Sequence, residues 1–492
     1  MAGSGRASPE DPQLDGLRDA FARTELTLEQ LWMRYFALGG TADLVDLDAW
    51  VNDLVPVAPD QHDVLAHAVN ERLDELLHEH RVPYHRTIRS GRPTNGPLAA
   101  LLELLDAAGS APPERIPALV ATAGRLLGTE MVIHLIDHEQ HCLVRLPTTD
   151  LTRRTRQSLD STMAGRAFRT QQILSSDRGD RARLWVPVAD GADRVGVLEV
   201  QLPSAAELYD PALRQHCEWL ASLLGHVLAA MNTYGDELER LRRSRPLAPS
   251  SELIWQQLPP LTAGTDSFVL AGMLEPSYDA GGDAFDYTLS ERTVSLGIFD
   301  AMGHGMPAAL VAAAALAAYR SARRDARRVL DQASAIDEVV AATFPGSVFV
   351  TGVLTELDVE SGLLRYVNAG HPLPLLLRQG RVVKELTGGR RVPFGLEHAG
   401  LAVGEEILEP GDWLALYTDG ITEARDASGT WFGESRLLEF LTRAIAAGQS
   451  PAETVRRLTQ AVMEHQGGLL QDDATVLLAR WTRSAPAQSP DG

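Results

Sequence analysis

The sequence predicts a multidomain α+β protein, and three observations lead there. Its 492 residues exceed what one hydrophobic core organises. Strand-like runs alternate with pairs of helical segments in the C-terminal half. Four acidic motifs in that half lie beside apolar or glycine-rich segments, as expected where carboxylates gather at strand ends.

Composition narrows the class. Hydrophobic residues at 45% and charged residues at 23% describe a soluble globular chain. With 66 acidic against 45 basic residues, the net charge of −21 argues against a nucleic-acid partner. Cys142 and Cys217 are the only cysteines, too few for a disulfide framework and suited to a reducing cytoplasm. The opening MAGSGRASPEDPQ lacks a signal-like apolar core, and the longest apolar stretch, Met306 to Tyr319, is too short to span a bilayer. The expectation is a cytoplasmic protein with no membrane contact.

Residues 1–25 read as a flexible tail, and residues 26–85 as a helical region. Thr27 to Gln30 forms a capping-box pattern before Leu28, Leu31, Trp32, Tyr35 and Phe36, with Gly39 and Gly40 as the stop. A second helix is expected from about Asp60 to Glu79. Its histidines, His62, His67, His78 and His80, read as solvated surface groups because their spacing scatters them over different faces. Residues 86–97, rich in Gly, Pro and Arg, read as a linker.

A second domain is expected over residues 98–232. Helical spacing at 98–105 and 116–127 precedes strand candidates at Met131–Ile136 and His141–Leu146. A short helix at 164–170 and strands at Leu184–Val188 and Val195–Leu202 follow. Over about residues 112–232 this order resembles a GAF sensory domain, which implies a possible small-molecule ligand of unstated identity. His134, His138, His141 and Cys142 cluster in sequence. Strand geometry nevertheless assigns His134 to a core face with Val132 and Ile136, and His138 and His141 to a solvated turn.

From Asp210-Pro211, Leu213, Leu220, Val227, Tyr234 and Leu241 hold one position of a seven-residue repeat, with Cys217, Leu224, Met231 and Leu238 in its partner position. Up to Val227 this stripe fits equally a helix packed on its own domain. Beyond Asn232 the polar DELERLRRSR favours a coiled-coil linker helix, with a Pro-rich break, over residues 233–252, and a parallel homodimer.

The catalytic features lie in residues 253–482, ahead of a tail at 483–492. Asp300 is central to FDAMGHG, where a carboxylate ending an apolar strand is followed by small residues that let oxygen ligands and water approach a hard cation. YDAGGDAFDY surrounds Asp283, LALYTDGITEA surrounds Asp419, and GGLLQDDATVLLA contains Asp472 and Asp473. Together with NAGHPLPLLL from Asn368, these motifs resemble, in order and spacing, the bacterial branch of the metal-dependent protein phosphatases. This is the protein phosphatase 2C superfamily, represented by sporulation and stress-response serine phosphatases.

The resemblance implies an α-β-β-α sandwich of two antiparallel sheets flanked by helices, holding two divalent cations, Mn²⁺ or Mg²⁺. Asp300 would bridge both ions and the nucleophilic water, the Ala301 carbonyl would touch the second, Asp419 and Asp472 would hold the first, and Asp283 would support the second. Asp473 would support Asp472 or a bound water, and Asp286 would stiffen the first loop. His304 is a candidate general acid, although Gly-His-Gly equally suits a tight turn. Asn368 and His371 read as structural, no phosphate-binding arginine stands out, and Phe299 replaces a glycine found in many relatives. The implied activity is hydrolysis of phosphoserine or phosphothreonine on a protein, by resemblance a STAS-type anti-sigma-factor antagonist. A catalytically silent scaffold or small-molecule receptor is the alternative.

Overall fold

The computed structural model describes residues 12–482 apart from 53, 77–92, 147–154, 179–180, 276–280, 345, 347, 397–401, 468–469 and 471. The chain divides into two units, residues 1–93 and 94–492. In the first, α1 (Pro12–Ala22), α2 (Leu28–Ala37), α3 (Leu44–Val51) and α4 (Pro59–Glu75) surround a small core with Leu31, Tyr35, Leu47, Leu65 and Leu73. The Thr27–Gln30 capping box is present. Two expectations change. Residues 12–22 are helical, because Leu17 and Ala20 join that core, and too few apolar positions precede them to signal this locally. His62 is buried rather than solvated, since α4 turns that face inward. His78, His80 and most of the 86–97 linker lie outside the described residues.

The second unit begins with a domain containing α5 (Pro97–Ala108), α6 (Ile116–Leu126), β1 (Glu130–Ile136), β2 (Cys142–Arg145), β3 (Arg156–Ser158), α7 (Met163–Thr170), β4 (Leu174–Arg178), β5 (Arg181–Asp190) and β6 (Asp193–Leu202). The strands form one antiparallel sheet in the order β3-β2-β1-β6-β5-β4. One sheet face packs on α5, α6 and α8 (Pro211–Met231), and α7 packs on the other.

The helix expected to run on to Leu241 stops at Met231. After a turn, α9 (Glu237–Arg242) resumes, and Leu220, Leu224, Val227, Met231, Leu238 and Leu241 are all buried in this domain's own core. Most of the stripe is therefore occupied within the chain, while Tyr234 is exposed. His138 is also not solvated: its Nε2 lies 2.8 Å from Glu239 Oε2, tying the β1–β2 turn to α9. His134 is a core histidine as read, 2.9 Å from Glu199.

The C-terminal domain contains α10 (Pro249–Trp255), β7 (Thr262–Thr265), β8 (Phe268–Glu275), β9 (Asp283–Leu289), β10 (Thr293–Ala301), α11 (Gly305–Arg324), α12 (Val329–Thr343), β11 (Val350–Asp358) and β12 (Leu363–Ala369). It continues with β13 (Leu375–Arg378), β14 (Arg381–Glu385), β15 (Arg390–Arg391), β16 (Gly404–Ile407), β17 (Trp413–Tyr417), α13 (Asp419–Thr422), α14 (Gly433–Ala446), α15 (Pro451–His465) and β18 (Ala474–Trp481). One sheet runs β15-β12-β11-β10-β9 with β16 paired to β12; the other runs β14-β13-β17-β18-β8-β7.

Alternation puts Phe285, Leu296, Ile298 and Val353 of the first sheet against Leu270, Leu416 and Leu477 of the second. The outer face of the first sheet is covered by α11 and α12, and that of the second by α14 and α15. This is the expected four-layer arrangement. The alanines of α11 let it lie close to β10, where the ring of Phe299 meets that of Tyr319 of α11 edge to face at 5.5 Å. Phe299 thus belongs to the packing, with no exposure to the site.

Candidate active site

Register brings the acidic motifs together. In the antiparallel β9–β10 pair Asp283 lies directly opposite Asp300, and Thr351 of β11 lies opposite Asp300 on its other side. Asp419 opens α13 just after β17, and Asp472 and Asp473 immediately precede β18, the neighbour of β17. The two sheets are stitched at this end by Thr418. Its backbone N–H donates to the Thr475 carbonyl (3.0 Å), and its hydroxyl donates to Asp283 Oδ2 across the sandwich at 2.7 Å.

Asp473 does not only support Asp472, to whose Oδ1 its backbone N–H donates at 2.9 Å. Its Oδ2 accepts backbone N–H bonds from Gly281 (2.8 Å), Gly282 (2.6 Å) and Asp283 (3.2 Å), so it fixes the segment that delivers Asp283. Glycine is required there. A Cβ on Gly281 would fall 2.4 Å from the Gly305 nitrogen, and one on Gly282 would fall 2.8 Å from the Ala301 carbonyl oxygen. Asp286 is likewise not a loop residue. It lies on β9 and pairs with Arg320 (2.9 Å) and Arg323 (2.5 Å), anchoring α11 to the strand.

Thr351 donates to Asp300 Oδ2 at 3.4 Å and lies 2.8 Å from His371 Nδ1. His371 is in turn held by Asn368, whose Oδ1 accepts its backbone N–H at 2.9 Å. Asn368 and His371 are therefore structural, one step behind Asp300. His304 precedes α11 with an exposed side chain that makes no capping bond, between Gly303 and Gly305 at φ 97° and 69°. The sequence reading missed Thr351 and Thr418. Only the adjacency of Thr418 to Asp419 hinted at the latter, and nothing local marked Thr351 as facing Asp300.

Electrostatics identify what the cluster lacks. Burial, together with Asp419, Asp472 and Asp473, raises the Asp300 carboxyl to about 7. Burial and the charges of Asp300 and Asp473 raise Asp283; burial, Glu423 and Asp472 raise Asp419. Among the described residues no arginine or lysine figures among the main influences on these three carboxyls, so the site is a concentration of negative charge. Among the described residues no three His, Cys, Asp or Glu side chains meet closely enough to cage an ion by themselves. An oxygen-only donor set with gaps for water fits Mg²⁺ or Mn²⁺, which keep several waters and take few carboxylates.

Residues 290–482 match the family described as Stage II sporulation protein E (SpoIIE). The chain is 25% identical over 215 residues to phosphoserine phosphatase RsbU of Bacillus subtilis, covering 42% of this chain and 61% of that protein. It is 28% identical over 133 residues to protein IcfG of Synechocystis, covering 27% of this chain and 20% of that one. It thus spans less than two thirds of either relative. Among solved structures, the SiaA-PP2C domain of Pseudomonas aeruginosa aligns with a TM-score of 0.41 and 23% identity over 47% of this chain and 94% of that one. Residues 290–482 therefore form a SpoIIE-type domain, homologous to the corresponding part of RsbU. No described helix is long and apolar enough to cross a membrane.

Proposed function

We propose that the chain is a cytoplasmic protein serine/threonine phosphatase whose middle domain, GAF-like in element order, regulates the rate. The observation that supports this reading is that Asp283, Asp300, Asp419 and Asp472 lie at the same end of the two sheets, with Asp419 and Asp472 near enough to act on the Asp300 carboxyl. Asp300, Asp419 and Asp472 would hold one divalent cation, and Asp300, the Ala301 carbonyl and Asp283 the other. When bound, such ions would supply activation of a water and neutralisation of phosphoryl oxygens.

The chain's own residues do the positioning. Asp473 and Thr418 set Asp283, and Thr351 with His371 sets Asp300. The exposed His304, between two glycines of positive φ, fits a turn better than a proton donor. The substrate we favour is a phosphorylated STAS-type anti-sigma-factor antagonist, in keeping with the homology to RsbU. Hydrolysis of p-nitrophenyl phosphate with Mn²⁺ or Mg²⁺, abolished by chelator, tests the activity. Its absence with both metals would favour a silent scaffold.

A further inference from the structure

The middle domain holds a cavity of about 680 Å³ between α7 and the sheet, within the size range of small-ligand sites. Its wall includes Asp160, Arg166, Arg169, Ser176, Arg183 and Trp185. The charges are only partly compensated. Arg183 pairs with Glu199 at 3.1 Å, and Glu199 is shared with His134, yet the buried Nε of Arg183 has no partner. Arg166 is exposed at the cavity edge, and its guanidinium has no ion pair among the described residues. The indole of Trp185, otherwise buried, supplies a flat apolar wall beside these donors.

Two wall residues also reach the phosphatase domain. Arg456 of α15 donates to Asp160 at 2.9 Å, and Arg169 reaches Glu453 of α15 at 3.3 Å. Glu453 and Arg456 are themselves buried and bonded to each other at 2.9 Å. Nearby, Arg194 of β6 donates to Ser450, the N-cap of α15, at 3.1 Å. α15 lies on β8 and β18, and β18 follows Asp472 and Asp473 directly. The cavity wall and the catalytic scaffold therefore share one polar clasp.

We propose that this cavity binds a flat organic anion, held by Arg166 and Arg183 against Trp185, and that the bound anion draws Arg169 away from Glu453 and loosens the clasp on α15. This rests on the sensor role given above to the middle domain. A ligand acts here only through its different affinity for the clasped and loosened arrangements. Arg169 supplies that difference, because it cannot fully serve Glu453 and an anion in the cavity together.

The test uses the full chain with benzoate, naphthoate and indole acetate as probes, read by titration calorimetry and by amide hydrogen exchange. Saturable binding of at least one probe is expected, weakened tenfold or more in both Arg183→Met and Arg166→Met, with faster exchange over residues 450–457 when the probe is bound. Arg166→Met changes an exposed side chain and keeps the test decisive if Arg183→Met misfolds. Absence of binding by all three probes, binding unchanged in Arg166→Met, or unchanged exchange over 450–457 would each overturn the proposal. Neither readout depends on turnover, so failure of the phosphatase assignment is seen separately in the p-nitrophenyl phosphate assay.

Discussion

Asp300 is flanked by Asp283 on one neighbouring strand and Thr351 on the other, and the charged groups acting most strongly on its carboxylate are Asp419, Asp472 and Asp473. Replacing groups that merely orient metal ligands costs about 10–100-fold. Asp300→Asn should therefore lower Mn²⁺-dependent turnover by more than about a hundredfold while circular dichroism and unfolding midpoint stay near those of the parent; near-normal turnover at saturating metal would remove Asp300 from the site. Asp286 makes a contrasting case. It is buried between Arg320 and Arg323, so Asp286→Asn leaves those charges under-compensated and should cost about 3 kcal/mol in urea unfolding. His371 gives a pH signature. Burial holds its imidazole down at about 3 in the folded chain, below its ordinary value of 6.5. The unfolded chain thus takes up the proton first on acidification, so this group's contribution is intact above pH 6.5 and is lost progressively as pH falls toward 3. Urea titrations across that window should show stability falling with acid, and His371→Asn should flatten the slope.

At the level of elements, the stripe along α8 and α9 is the instructive case. Its seven-residue spacing suits a two-chain seam, yet Leu238 and Leu241 are buried against the chain's own helices and sheet. Around Gly235 the chain passes so close to Pro113 that a Cβ would sit 2.5 Å from its ring, which fixes the turn between the two helices. Leu238→Ala should consequently destabilise the middle domain by about 2–5 kcal/mol, the range for truncating a buried leucine. Because the lost contacts are intramolecular, the change in unfolding midpoint should not vary with protein concentration. A midpoint shift that grows on dilution would instead locate Leu238 between chains.

For the molecule as a whole, the catalytic domain has an apolar layer between its sheets and one beneath each helical pair, all drawn from residues after 253. The middle domain adds Asp160, Arg169, Arg194 and the Ala192 carbonyl, which accepts from Thr262, as polar contacts rather than core. Residues 246–483 expressed alone should therefore fold and hydrolyse p-nitrophenyl phosphate within about tenfold of the full chain, since Glu453 and Arg456 keep each other as partners. A folded fragment without activity would show that the middle domain completes the site instead of tuning it.

Much of this was legible one segment at a time. The strand-like runs of the C-terminal half, the capping box at Thr27, and the four acidic motifs are local patterns, set by side-chain periodicity and turn chemistry. They determined the element types and the donor chemistry without any knowledge of neighbours. Tertiary structure decided the pairings: Asp283 opposite Asp300, Thr418 bonded across the sheets to Asp283, Asp473 holding Gly281 and Gly282, and Asp286 between two arginines of α11. Helix α12, with Val329, Ile336 and Val340 buried, was not read from the sequence, and neither were the short strands β3, β4 and β16. An apolar stripe states that a face is buried and an acidic motif states that charge is gathered, but the partner is chosen by long-range packing, on which nearby residues carry no information. That is why the α8–α9 stripe pointed outward on paper and closes on its own domain in the folded chain.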